Sequence, residues 1–154
     1  MDLKPGDRAP AFKLAAPGGE TISSTSLKGS PYVLYFYPKD DTSGCTKEAI
    51  DFSAAKKKFD AQGVPVIGVS KDSVQSHEKF AAKHKLKIKL ASDPDIETAK
   101  AFGIWIEKSL YGRKYMGMDR STFLVDAKGV IREVWRKVKV PGHVEAVLAA
   151  VKAQ

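Results

Sequence analysis

The chain holds a single cysteine, Cys45, and its surroundings decide what that thiol can do. It sits in the stretch Pro38-Lys39-Asp40-Asp41-Thr42-Ser43-Gly44-Cys45-Thr46-Lys47-Glu48, directly after an apolar run from Tyr32 to Tyr37. The run reads as a buried strand ended by Pro38, and a helical period begins at about Ser43. A strand that carries a thiol to a helix N-terminus favours the thiolate, because the helix end presents partial positive charge and unpaired N–H groups. The bland alternative is that a lone cysteine is a small buried hydrophobe. Ser43, Gly44 and Thr46 are not core residues, however, and they point to a nucleophile instead.

The elements that must position this thiol follow in order. Pro17-Gly18-Gly19 reads as a hairpin turn returning through Thr21-Ile22-Ser23, and Ser26 to Gly29 as a brief helical turn. Tyr32 to Tyr37, continuous and rich in aromatic and β-branched residues, reads as a strand buried on both faces. Cys45, Ala49, Phe52 and Phe59 share one side of a helix stopped by Gly63, with Thr42 or Ser43 capping it and Glu48 favouring its dipole. Val64 to Val69 is a second strand. A cap at Asp72 or Ser73 opens a helix with Val74, His77, Phe80, Ala81 and His84 on one side. Leu86 to Ala91 reads as a short strand, and Asp93-Pro94 as the start of a short helix through Ile96, Ala99 and Phe102. Residues 104–118 have weak periodicity and are expected to be strand and loop. Ser121 to Val125 and Val130 to Trp135 form a strand hairpin through Asp126-Ala127-Lys128-Gly129. Val144, Val147, Leu148 and Val151 mark a last helix. This order predicts an α/β fold in one domain spanning residues 1–154.

Length and composition agree. A chain of 154 residues buries roughly 70% of its unfolded surface and needs no staples. No apolar run approaches the ~18 residues of a membrane span, Met1 to Arg8 carries no apolar signal region, and one cysteine cannot form an internal disulfide. The expected compartment is a reducing one, the cytoplasm. The net charge of +8 could attract nucleic acid. Its lysines are scattered, with Lys56-Lys57-Lys58 the one run of three and Lys83, Lys85, Lys87 and Lys89 alternating, which suits a solvated basic surface.

Pro38, Thr42 and Cys45 match the Pro-x-x-x-Thr-x-x-Cys motif, so the chain resembles the peroxiredoxins over essentially its whole length. With Glu48 following, it looks like their bacterioferritin comigratory protein (PrxQ) branch, which often has Pro where this chain has Ser43. The resemblance implies a thioredoxin-like fold: a central mixed sheet flanked by helices, with an N-terminal β-hairpin. It implies that Cys45 is the peroxidatic nucleophile, that Thr42 points its hydroxyl at the sulfur and the peroxide, and that Pro38 shields the thiolate. It also implies an arginine from a distant strand, which Arg120 in Asp119-Arg120-Ser121-Thr122-Phe123 fits, with Glu48 orienting it. The activity implied is reduction of hydrogen peroxide and organic hydroperoxides through a cysteine sulfenic acid, with no metal or other cofactor. Members of the branch often carry a second, resolving cysteine at the position of Ile50 or in the region of Ala81. Neither is cysteine here. The chain therefore reads as a one-cysteine enzyme, natural or with a resolving cysteine replaced at Ala81, whose sulfenic acid is reset by an external thiol such as thioredoxin or glutaredoxin with glutathione. A monomer is expected.

Other constellations are weak. No Cys-x-x-Cys is present, which excludes a dithiol oxidoreductase. His77 and His84 lie two turns apart and read as surface or boundary histidines rather than metal ligands. Gly112 and Gly117 make no phosphate-binding loop. Trp105, Tyr111 and Tyr115 read as loop or core packing, with the mouth of a peroxide site as the sharper alternative. The rival to an enzyme is a thiol redox sensor or a basic nucleic-acid-binding protein of the same fold.

Overall fold

A computed structural model describes residues 2–154. Its centre is a seven-stranded mixed sheet, built from β1 (Lys13–Ala15), β2 (Thr21–Ser23), β3 (Tyr32–Phe36), β4 (Val66–Ser70), β5 (Lys89–Ser92), β8 (Ser121–Val125) and β9 (Ile131–Trp135). The strand order is β2-β1-β5-β4-β3-β8-β9. Strands β3, β4 and β5 run parallel, while β8 and β9 pair antiparallel beyond β3 and the β1–β2 hairpin closes the other edge antiparallel to β5. All five residues of β3 are buried, as its continuous apolar run demands.

The pleat of β3 sorts the core into two layers. Leu34 and Phe36 join Ile67, Val69 and Phe123 on one face, covered by Ala99 and Phe102. Val33, Tyr35 and Tyr37 join Cys45, Phe52, Phe59, Phe80 and Val147 on the other. The helices are α1 (Ser43–Ala54), α2 (Lys56–Ala61), α3 (Val74–His84), α4 (Glu97–Ala101) and α5 (His143–Lys152). Gly68 on β4 is required: a Cβ there would lie 2.6 Å from the Tyr35 ring.

Several local expectations are corrected. The helix bearing Cys45 is not continuous to Gly63; Ala55, at φ −91° and ψ 1°, separates α1 from α2. Asp93-Pro94 does not open α4. The chain turns there, Ile96 is left-handed at φ 56°, and the Asp93 carboxylate reaches forward to accept from the amides of Thr98 and Ala99. Residues 104–118 do hold strand, as expected; what the sequence does not indicate is that β6 (Trp105–Leu110) and β7 (Arg113–Met118) pair as a separate two-stranded antiparallel ribbon outside the main sheet. Tyr111 at its tip is fully exposed, Tyr115 is exposed and Trp105 is half-buried.

Candidate active site

Cys45 is the third residue of α1, and the first helical hydrogen bond runs from Thr46 N–H to the Thr42 carbonyl at 2.8 Å. The amides of Ser43, Gly44 and Cys45 precede that bond, so the sulfur lies within the unpaired end of the helix. Its residue is buried, with 1% of its surface exposed.

Arg120, delivered by the segment just before β8, lies across this helix start. Its Nη2 donates to Cys45 Sγ at 3.4 Å and its Nη1 to Glu48 Oε1 at 2.7 Å. One guanidinium therefore faces both a thiol and a carboxylate, the forked geometry that arginine offers and lysine does not. Gly44 leaves the space: a Cβ there would stand 3.2 Å from Nη2. Burial of Arg120 opposes its charge, but Glu48 and Cys45 outweigh that and hold its pKa above the ordinary arginine value.

Glu48, which the resemblance pairs with Arg120, does not lie on the solvated face that its place one turn into the helix suggests. It is fully buried, and burial pushes its pKa up to about 7 against the pull of Arg120. Its Oε2 and the nearby Tyr35 hydroxyl are both buried without a hydrogen-bond partner among the described residues. His143, first residue of α5, stands behind Arg120 with its Nε2 at 2.7 Å from the Thr122 hydroxyl. Burial, assisted by the charge of Arg120, lowers its pKa to about 4, so it is neutral at physiological pH.

The loop between β3 and α1 is tied down from outside the motif. Asp40 is buried and accepts from the hydroxyls of Tyr37 and Ser76, with His77 Nδ1 at 2.7 Å; His77 Nε2 faces the Ala91 carbonyl at 2.9 Å. Burial raises the Asp40 pKa, but the hydrogen bonds from His77 and Tyr37 win and lower it. His77 is thus a fully buried anchor rather than a surface or boundary residue. Asp41, left-handed at φ 60°, places its carboxylate against Lys83 and His84 at the end of α3.

Thr42 occupies the N-cap position of α1, yet neither it nor Ser43 makes the expected capping bond; the Thr42 hydroxyl donates to the Lys39 carbonyl at 3.0 Å. Pro38 is half-buried at the start of the same loop. The fold thus joins Cys45, Glu48 and Arg120 directly, and sets Pro38 and Thr42 in the loop that leads to them. Sequence reasoning missed Lys108 on β6. Its stem runs along Gly117, and burial lowers its pKa against the pull of Asp119, with Arg120 and Cys45 acting on it more weakly in opposite senses. The weak periodicity of 104–118 gave no signal for it. No cluster of three or more potential metal-binding side chains occurs among the described residues.

Comparison with known proteins gives this geometry its context. Residues 5–134 match the AhpC/TSA family. The chain is 47% identical to a putative peroxiredoxin bcp of Coxiella burnetii, covering 96% of this chain and 98% of that one. It is 44% identical to peroxiredoxin Bcp of Bacillus subtilis, covering 99% and 97%. Among solved structures, Xanthomonas campestris peroxiredoxin Q superimposes with a TM-score of 0.90 at 43% identity, covering 100% of this chain and 97% of that chain. A PrxQ mutant from Xylella fastidiosa reaches a TM-score of 0.93 at 38% identity, covering 99% and 98%. These neighbours fix the fold as thioredoxin-like, with the β1–β2 hairpin as its N-terminal addition. The chain is therefore a peroxidase oxidoreductase that belongs to the peroxiredoxins, on their bacterioferritin comigratory protein (PrxQ) branch.

Proposed function

We propose that this peroxiredoxin reduces hydrogen peroxide and small organic hydroperoxides through a sulfenic acid at Cys45, and that an external thiol resets it. The observation that carries the reading is the Arg120 guanidinium shared between Cys45 Sγ and Glu48 Oε1. The Cys45 thiolate attacks one oxygen of the peroxide, an S–O bond forms, and the O–O bond breaks. The electron pair leaves with the second oxygen, which takes a proton and departs as water or alcohol. Arg120 and the free amides at the start of α1 stabilise the negative charge that moves onto the oxygens. Pro38 shields the sulfur, Glu48 holds the guanidinium in place, and the Thr42 hydroxyl turns from Lys39 toward the bound peroxide.

The sulfenic acid then condenses with an external thiol to give a mixed disulfide and water. A second thiol displaces Cys45 as thiolate and leaves as the oxidised disulfide. Two serine mutants of the X. campestris neighbour replace cysteines separated by the same interval as Cys45 and Ala81. That spacing supports Ala81 as the position where a resolving sulfur is missing here. One cysteine and no helix long and apolar enough to cross a membrane among the described residues fit a reducing, cytoplasmic setting. A monomer is the proposed form. Steady-state peroxide turnover driven by thioredoxin, by glutaredoxin with glutathione, and by a small dithiol tests the reading. At least one of the three should sustain multiple turnovers, and none should do so in Cys45→Ser. If none of the three thiol sources sustains more than one turnover, the chain is not an enzyme of this kind, and a redox sensor becomes the better account.

A further inference from the structure

Between α1, α2 and the end of α3 lies a groove of about 860 Å³. Ile50 and Ala54 give it an apolar floor, and Lys56, Lys57, Lys85 and Lys87 stand around it. Lys56 pairs with Asp60, but Lys57, Lys85 and Lys87 have no carboxylate within 4.0 Å among the described residues. The far wall is His84, whose Nε2 lies 2.8 Å from Asp41 Oδ1, so the groove abuts the loop that leads to Cys45. Ile50, one of the two places where the branch often carries a resolving cysteine, lines it directly.

From this placement we propose that the groove is the docking site for the external reductant, and that this reductant is a low-molecular-weight thiol carrying carboxylates. The proposal rests on the one-cysteine reading above. The volume lies within the range of small-molecule sites, and the groove is open to solvent, so a small anionic thiol can enter freely. Three unpaired ammonium groups attract carboxylates and raise the local concentration of an anionic thiol beside the active-site loop. The apolar floor accepts the ligand's carbon skeleton. The chemistry is unchanged: sulfenic acid plus thiol gives mixed disulfide plus water, and a second thiol completes the exchange. Only the arrival of the thiol is guided.

The test combines Lys57→Gln, Lys85→Asn and Lys87→Gln, all exposed positions away from Cys45, Glu48 and Arg120. Protein is oxidised with one equivalent of peroxide and the sulfenic acid verified by mass before any thiol is added. Its reduction is then timed with glutathione, with glutathione ethyl ester, with 2-mercaptoethanol and, separately, with reduced thioredoxin. At low salt the triple variant should lose about tenfold in rate with glutathione, and high salt should slow the wild type toward the same value. The neutral thiol should reduce both proteins equally, the ester should show a smaller loss than glutathione, and the peroxide step should be unchanged. Equal rates with glutathione in the two proteins, or an equal loss with all three thiols, overturn the proposal. So does a loss seen with thioredoxin but not with glutathione, which would assign the groove to a protein partner. If no sulfenic acid forms in the wild type, the proposed function itself fails, before the groove is probed.

Discussion

At the scale of single residues, the chemistry asks more of the site than a reactive sulfur. Lowering a thiol's pKa from about 8.5 to about 6 raises its thiolate fraction at neutral pH only about 30-fold, or about 2 kcal/mol, and also weakens the nucleophile. Most of the rate must come from groups that hold the O–O bond more tightly as it breaks. Arg120→Met and Thr42→Val should therefore each lose far more than 30-fold in the rate of peroxide reaction, measured by stopped flow; near-full activity in either would refute this electrostatic account. The buried residues behind Arg120 make a second prediction, on stability. The Glu48 pKa rises on folding from 4.5 to about 7, so the folded state binds the extra proton and this contribution, about 3 kcal/mol, is lost as pH climbs through 7. The His143 pKa falls on folding from 6.5 to about 4, so its similar contribution is present above 6.5 and lost as pH drops toward 4. The two oppose each other across nearly the same window. Denaturant unfolding of Glu48→Gln should show stability falling on acidification from pH 7 to 4.5, and His143→Asn should show it rising. Parallel curves for both variants would contradict these environments.

At the scale of elements, much of the chain was legible from periodicity and punctuation. The unbroken apolar run of β3, the Asp126-Ala127-Lys128-Gly129 turn between β8 and β9, and the i, i+3, i+4 spacing of α5 all lead to the right structures. Local signals failed where a distant group took over. Asp93 looked like a cap for a proline-led helix, but its carboxylate bonds two amides five and six residues on. Glu48 reads locally as a dipole-facing residue; the resemblance alone pairs it with Arg120, 72 positions later, and nothing local shows that the pair is buried. His77 fell on the apolar side of α3, but only the folded loop supplies Asp40 as its partner. The motif thus pointed to Cys45, while the shell that holds its loop could not be read from sequence spacing. Helix α3 carries its own prediction. Ala81 packs against the cluster that contains Cys45. Ala81→Cys should form an internal disulfide with Cys45 after one equivalent of peroxide, seen as a non-reducing mobility shift and loss of free thiol. Its failure to form would place the missing resolving position elsewhere.

At the scale of the whole molecule, a positive surface and a buried thiol site serve different ends. The net charge of +8 is spread over helix faces, the ribbon and the groove rather than gathered in one arm. Retention on duplex DNA should be negligible at physiological salt, whereas a phosphate-contacting site would hold until salt is raised well above it. The single cysteine also makes the central claim unusually simple to test. Intact protein treated with one equivalent of hydrogen peroxide at neutral pH should gain one oxygen atom within the dead time of manual mixing. Peptide mapping should place that oxygen on Cys45, and Arg120→Met should take it up far more slowly. Oxygen found on the methionines, or uptake at Cys45 no faster in the wild type than in Arg120→Met, would contradict a site built on the guanidinium shared between Cys45 and Glu48.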